Sequence, residues 1–191
     1  MELIFVSHGQ AEHTMNIPAS YEIEAPGLTQ LGVRQAERLR ASLPLTEQDA
    51  VIASPTRRTL QTARIWCEGT DALRFAHPTV GPRQFPPRYD FFTYRCDHIM
   101  EPRQIKESFS EFLPAPDVPE YIWLQGIHTA PALLFDKWSA GFLAWCGRLE
   151  RRKVYIVSHE GTISSYIQRL TGTPWRRKQF IDDLDWIPLS V

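Results

Sequence analysis

The chain has 191 residues, 43% apolar and 23% charged, a composition that suits a folded protein with a sizeable core and excludes wholesale disorder. Lys and Arg number 21 against 22 Asp and Glu, for a formal net charge of -1. A chain that lives by neutralising nucleic-acid phosphates is more basic, so nucleic acid is not an expected partner. No run approaches 18 apolar residues, so neither a spanning helix nor a membrane partner is expected. The opening MELIFVSHGQ has no basic stretch, and its apolar run, Leu3 to Val6, is too short for a signal peptide. Cys67, Cys96 and Cys146 are odd in number and lack C-x-x-C spacing, which argues against a disulfide framework or structural zinc and for reduced thiols in a cytoplasmic protein. The length suits one domain over residues 1–191.

In chain order, Glu2–Ser7 reads as a buried parallel strand. A loop with Pro18 and Pro26 leads to a helix that Thr29 caps and Pro44 ends. Leu31, Ala36, Leu39 and Leu43 form its apolar face, and Arg34, Gln35, Glu37 and Arg38 its solvated one. Ala50–Ala53 is a second buried strand. The next helix runs from Pro55, suited to a first turn, to Cys67. Arg74–His77 is a third strand candidate. Residues 78–120 then hold eight of the fifteen prolines, and 85–123 hold nine aromatics. That stretch is too apolar for a linker and too proline-rich for long regular elements. It reads as an insertion, about 78–125, folded over the strand ends and able to wall a pocket, or else as a loop that buttresses the core. The helix 131–149 carries a broad apolar stripe (Ala132, Leu133, Phe135, Trp138, Phe142, Leu143, Trp145) for core packing. Lys153–Ser158 is the clearest strand, followed by a helix over about Thr162–Leu170 that Gly172 and Pro174 close. Alternation of strand and helix predicts an α/β fold: a three-layer αβα sandwich around a mostly parallel sheet.

In such sheets ligands bind beyond the carboxyl ends of the strands. His8 follows the first strand, Arg58 lies early in the helix after the second, and His159 follows the last. Two imidazoles and a guanidinium that converge there make an anion site, with imidazole able to act as nucleophile or donor. Each alone has an ordinary structural reading: a histidine at a strand end, a solvated arginine.

The flanking residues are more specific. Val6-Ser7-His8-Gly9-Gln10 resembles the R-H-G signature of the histidine phosphatase superfamily, which includes the phosphoglycerate mutases. Leu28-Thr29-Gln30-Leu31-Gly32-Val33-Arg34-Gln35-Ala36 is similar to its L-T-x-x-G-x-x-Q-A helix start, Ser54 to Ala63 to its S-P-x-x-R-x-x-x-T-A segment, and Val157 to Gly161 to its V-S-H-G-G. Gln10-Ala11-Glu12-His13 together with Cys96-Asp97 looks closest to the phosphoglycerate-mutase-like phosphatases of fungal and plant type. The resemblance implies a phosphohistidine mechanism on a small-molecule phosphate ester: His8 attacks phosphorus, Arg58 and His159 hold the equatorial oxygens, and water then hydrolyses the phosphohistidine. It implies no metal and no cofactor, and the six histidines show no metal-ligand spacing.

Three positions depart from the pattern. Ser7 stands where the family has an Arg that grips the phosphoryl group. A serine offers one neutral hydrogen bond where one to a charged group is worth about 1.5–3 kcal/mol. Arg57, Arg83 and Arg88 are candidates for a substitute charge. Thr14 stands where the family has a phosphate-binding Asn and can still donate, with Asn16 two residues on. Gln84 falls where a Glu general acid is expected. Glu160, beside His159, is then the first candidate for the acid, as in the acid-phosphatase branch, with Asp97 and Glu101 as others; the plainer and less favoured alternative is that Glu160 only caps its helix. Two functions follow: a phosphomonoester hydrolase working through His8, or a degenerate member that binds a phosphorylated ligand without turnover, which Ser7 favours. A mutase is less favoured, since nothing in the insertion is a recognisable carboxylate clamp for a phosphoglycerate. The nine insertion aromatics suggest an apolar leaving group.

Overall fold

A computed structural model describes residues 1–87, 92–173 and 186–190. Arg88 and Pro174 lie outside the described residues. Strands β1 (Glu2–Ser7), β2 (Ala50–Ala53), β3 (Leu73–Ala76), β4 (Leu113–Pro114), β5 (Lys153–Ser158) and β6 (Trp186–Ser190) form one sheet in the order β4-β3-β2-β5-β1-β6. All neighbours are parallel except β6, which runs antiparallel on β1. The helices are α1 (Gln30–Ser42), α2 (Arg57–Trp66), α3 (Pro102–Ser108), α4 (Glu120–Gln125), α5 (Ala132–Arg148) and α6 (Glu160–Thr171).

The period-two pleat divides the core into two layers. Ile4 and Val6 of β1, Val51 and Ala53 of β2, and Tyr155 and Val157 of β5 pack with Ala36, Leu39, Leu60, Ala63 and Trp66 of α1 and α2. The alternate residues Leu3, Phe5, Ile52 and Ile156 pack on the other face with Phe135, Phe142 and Cys146 of α5 and Ile163 and Tyr166 of α6. Burying a Leu or Phe fully is worth about 1.5–3 kcal/mol. The strands therefore read as nearly continuous apolar runs, as the αβα sandwich requires.

Several expectations need correction. Pro55 is not in the first turn of α2. Thr56 is the N-cap and the helix starts at Arg57, because Pro55 carries a carbonyl that accepts from Met100 N–H at 2.6 Å and so belongs to the loop. Gln35 is buried, its Oε1 accepting from Gln10 N–H at 2.8 Å, while Leu31 stays exposed. Leu133 is 80% exposed, since α5 buries Phe135, Ser139, Phe142 and Cys146 and Leu133, two residues from Phe135, lies on the opposite side of the helix. β3 lies one residue earlier than expected, and β6 was not foreseen at all. Among its described residues the insertion has no long element, the longest being α3 with seven residues, but it does more than cover the sheet. Ile105, Phe109, Phe112 and Trp123 enter the first core layer and Ile122 the second, and β4 extends the sheet beside β3.

Three glycines mark close backbone approaches around the strand ends. A Cβ on Gly32 would lie 2.0 Å from Gln10 O, one on Gly9 2.6 Å from Gly32 O, and one on Gly161 2.0 Å from Arg83 O. The start of α1 thus rests directly on the loop after β1, and the start of α6 on the head of the insertion.

Candidate active site

Strand register sets the first two groups side by side. Ser7 pairs with Ser158 and Ala53 with Val157, so His8, Ser54 and His159 emerge level at the carboxyl edge. His8 N–H continues the ladder to Ser158 O at 3.2 Å, and Ser54 N–H to Val157 O at 2.9 Å. The His8 and His159 rings stand 5.1 Å apart between centroids, inclined at 63°. Arg58, in the first turn of α2 and 1% exposed, reaches both. Its Nε donates to His8 Nε2 at 3.3 Å and its Nη2 to His159 Nδ1 at 3.2 Å. Nη2 also meets Asp97 Oδ1 at 2.9 Å, and Nη1 donates to Cys96 O at 2.6 Å. The structure therefore brings together the three residues that the sequence reading expected to converge.

These bonds fix the tautomers. A guanidinium only donates, so His8 Nε2 and His159 Nδ1 must accept. A carbonyl only accepts, so His8 Nδ1, 2.8 Å from Gly9 O, carries the ring proton. His159 Nε2 carries its own and donates to Ser54 Oγ at 2.8 Å. Burial, then Arg58, holds both rings well below the ordinary imidazole value; the Gly9 carbonyl opposes this at His8. Both are thus neutral, each with a bare nitrogen turned to the guanidinium. Among the described residues, Arg58 uses four of its five N–H groups in this state.

The other expected residues sit as follows. Ser7, the last residue of β1, is half-buried and shares the sheet face of Leu3 and Phe5. Thr14 closes a 3-10 turn over Glu12–Thr14, is exposed, and donates to Ala11 O at 2.9 Å. The residue of that turn that meets His8 is its neighbour His13, whose ring lies 5.6 Å away. Burial, with help from Arg58, brings His13 down to about 3. Glu160 is the first residue of α6, directly after His159, and is exposed. Glu101 forms a capping box with Gln104 at the start of α3. Of the substitute charges, Arg83 is buried and donates to Ile127 O at 3.2 Å and Ala130 O at 2.6 Å, with its guanidinium 4.2 Å over the Phe135 ring. It is committed to the core. Arg57 is exposed at the start of α2.

Sequence reasoning missed three groups. Ser54 was visible only as the first residue of a motif, and it orients His159. His13 sat in a quoted stretch, but nothing there shows that a 3-10 turn carries its ring back to His8. His128 had no local signal at all. It lies 3.7 Å from Asp97 Oδ2 through Nδ1, is 7% exposed, and among the described residues has no hydrogen-bond partner on either nitrogen. A buried polar group left unpaired costs about 1–3 kcal/mol. Among the described residues no three His, Cys, Asp or Glu side chains are grouped to hold a metal ion.

Residues 3–79 match the histidine phosphatase superfamily (branch 1). The chain is 27% identical over 187 residues to an adenosylcobalamin/alpha-ribazole phosphatase of Salmonella typhi, covering 91% of this chain and 81% of that protein. Its fold is similar to phosphoserine phosphatase from Entamoeba histolytica, with a TM-score of 0.59 at 17% identity over 98% of this chain and 89% of that one. It is likewise similar to the ecdysone phosphate phosphatase of Bombix mori, with a TM-score of 0.61 at 12% identity over 100% and 89%. The match over residues 3–79 and the four motifs in order make this part of the chain similar to the histidine phosphatase superfamily, and the fold is shared with these solved phosphatases.

Proposed function

We propose that this protein is a phosphomonoester hydrolase that carries the phosphoryl group on His8 Nε2. The observation that carries this reading is the tautomer of His8. With Nδ1–H tied to Gly9 O, the lone pair of Nε2 faces Arg58 beside His159. An arriving phosphoryl group takes over the Arg58 N–H groups that otherwise rest on the two imidazoles, and the spare Nη1–H as well. His8 Nε2 attacks phosphorus as the ester P–O bond breaks, and the leaving alkoxide takes a proton from a carboxylic acid. Glu160, directly after His159 at the start of α6 and exposed, is the residue given that role. Water then attacks the phosphohistidine, returning inorganic phosphate and neutral His8. The anion reverses the sign of the local field, so His159 can take up a proton and hold a phosphoryl oxygen. The phosphatase relatives support the same class of reaction.

The second reading, a binder without turnover, draws on Ser7 and Gln84, which stand where the family pattern has an Arg and a Glu. Phosphate release from p-nitrophenyl phosphate separates the two. Release by the native chain that disappears in His8→Ala supports the hydrolase. An inactive native chain that gains activity in Ser7→Arg supports the binder. For an active native chain, restoring one charged donor by Ser7→Arg is expected to raise the rate by up to about 10²–10³.

A further inference from the structure

A cavity of about 220 Å³ opens beside this cluster. Its wall includes Asp97, His98, Gln125 and His128, with Ile99 and Leu124 as apolar flanks. Asp97 links it to the phosphoryl site: Oδ1 is bonded to Arg58, which itself touches His159, while Oδ2 faces His128. The main chain of His128 is held by Gln84 N–H at 3.1 Å, yet its ring, more than nine-tenths buried, leaves both nitrogens unpaired among the described residues. The pair therefore presents an acceptor that only accepts next to an imidazole N–H, at a spacing of 3.7 Å that is too long for a direct bond. One alcohol completes both: its O–H donates to Asp97 Oδ2 while its oxygen accepts from the ring. An aliphatic or aryl leaving group leaves both unmet.

We infer that this cavity is the leaving-group subsite and that the Asp97–His128 pair selects phosphate esters bearing a hydroxyl close to the ester oxygen. The inference rests on the hydrolase reading for its orientation and goes further in naming the substrate class. It also turns away from the apolar leaving group suggested by the insertion's composition, because Phe109, Phe112 and Trp123 are spent in the core.

The test compares glycerol 1-phosphate with n-propyl phosphate, which share a carbon chain and differ in hydroxyls. A site built around a substrate hydroxyl rejects the analogue lacking it strongly, so kcat/KM of the native chain is expected to favour glycerol 1-phosphate by about 10–100-fold. His128→Phe is expected to bring that ratio near one, and His128→Gln, which keeps a donor and an acceptor, to retain part of it. A native ratio near one overturns the inference, as does a ratio that survives His128→Phe. Preference for phosphoethanolamine over glycerol 1-phosphate overturns it too, since that would show Asp97 selecting a cation. If His128→Phe does not fold, the native ratio decides alone. If no ester is turned over, the hydrolase reading fails by itself, and the same pair of esters is compared by calorimetric Kd, where equal affinities overturn the subsite.

Discussion

At the scale of single residues, the site is a set of neutral imidazoles arranged around one charged guanidinium. His8 and His159 were legible because strand ends and flanking motifs mark them, and Arg58 because a Ser-Pro turn fixes its place in α2. Their partners were not legible. Asp97 comes from the insertion and His128 from just beyond it, on paths that depend on tertiary packing, and the useful property of His128, ring nitrogens unpaired among the described residues, is one that no string of letters displays. Thr14 shows the converse: its motif position suggested phosphate binding, but its hydroxyl closes a local turn and leaves His13 as the neighbour of His8. The assignment of Glu160 as the acid has a leaving-group signature. Glu160→Gln is expected to slow alkyl phosphate hydrolysis by about 10²-fold or more, the usual worth of a general acid. Turnover of p-nitrophenyl phosphate, whose leaving group departs without a proton, should fall far less. Equal losses on both, measured as kcat, would assign Glu160 to binding or structure.

At the scale of elements, the motifs turn out to be packing instructions as much as chemistry. The glycine in L-T-Q-L-G lets the first turn of α1 lie on the carbonyl of Gln10, while Thr29 Oγ1 caps that turn by accepting from Gly32 N–H at 3.1 Å. The glycine after His159-Glu160 lets α6 start against Arg83 O. Gly161→Ala puts a methyl where that carbonyl stands and is expected to cost about 1–3 kcal/mol in a denaturant titration, as overpacking does. It should also lower kcat/KM, since the 83–85 segment leads to His128 through Gln84. A change under about 0.5 kcal/mol, the size of an ordinary surface effect, would contradict the close approach. Strands β1, β2 and β5 were readable because strands buried on both faces are continuously apolar. The two-residue β4 was not, because it has no such run to show, and the edge strand β6 was not, because Pro188 inside Trp186–Ser190 reads against a strand. Leu133 fails for another reason: it lies about 200° from Phe135 around α5, off the face that Phe135, Ser139, Phe142 and Cys146 bury.

At the scale of the whole molecule, the sheet order brings β1, β5 and β2 together at the centre, so the end of the first strand and the end of the fifth share one site although most of the chain lies between them. The same burial makes stability depend on pH. His77 and His13 are brought down to about 3, and His8 and His159 are also lowered, in each case mainly by burial. A histidine whose folded value lies below its unfolded one near 6.5 binds fewer protons when folded. Its stabilising contribution is complete above pH 6.5 and is lost as pH falls toward about 3, with a slope of up to about 1.4 kcal/mol per unit per ring. The denaturation midpoint is therefore expected to fall between pH 7 and pH 5, and less so with vanadate or phosphate present, because an anion favours the protonated rings. A midpoint that is flat or rises over that range would contradict the neutral-cluster assignment. The central claim, that Nε2 of His8 accepts the phosphoryl group, is tested most directly by quenching turnover of p-nitrophenyl phosphate into alkali and mapping the adduct by mass spectrometry. An acid-labile, alkali-stable phosphoryl group on the peptide carrying His8, absent in His8→Ala, is the expected result. Phosphate release with no such adduct, or with the adduct on another side chain, would contradict it.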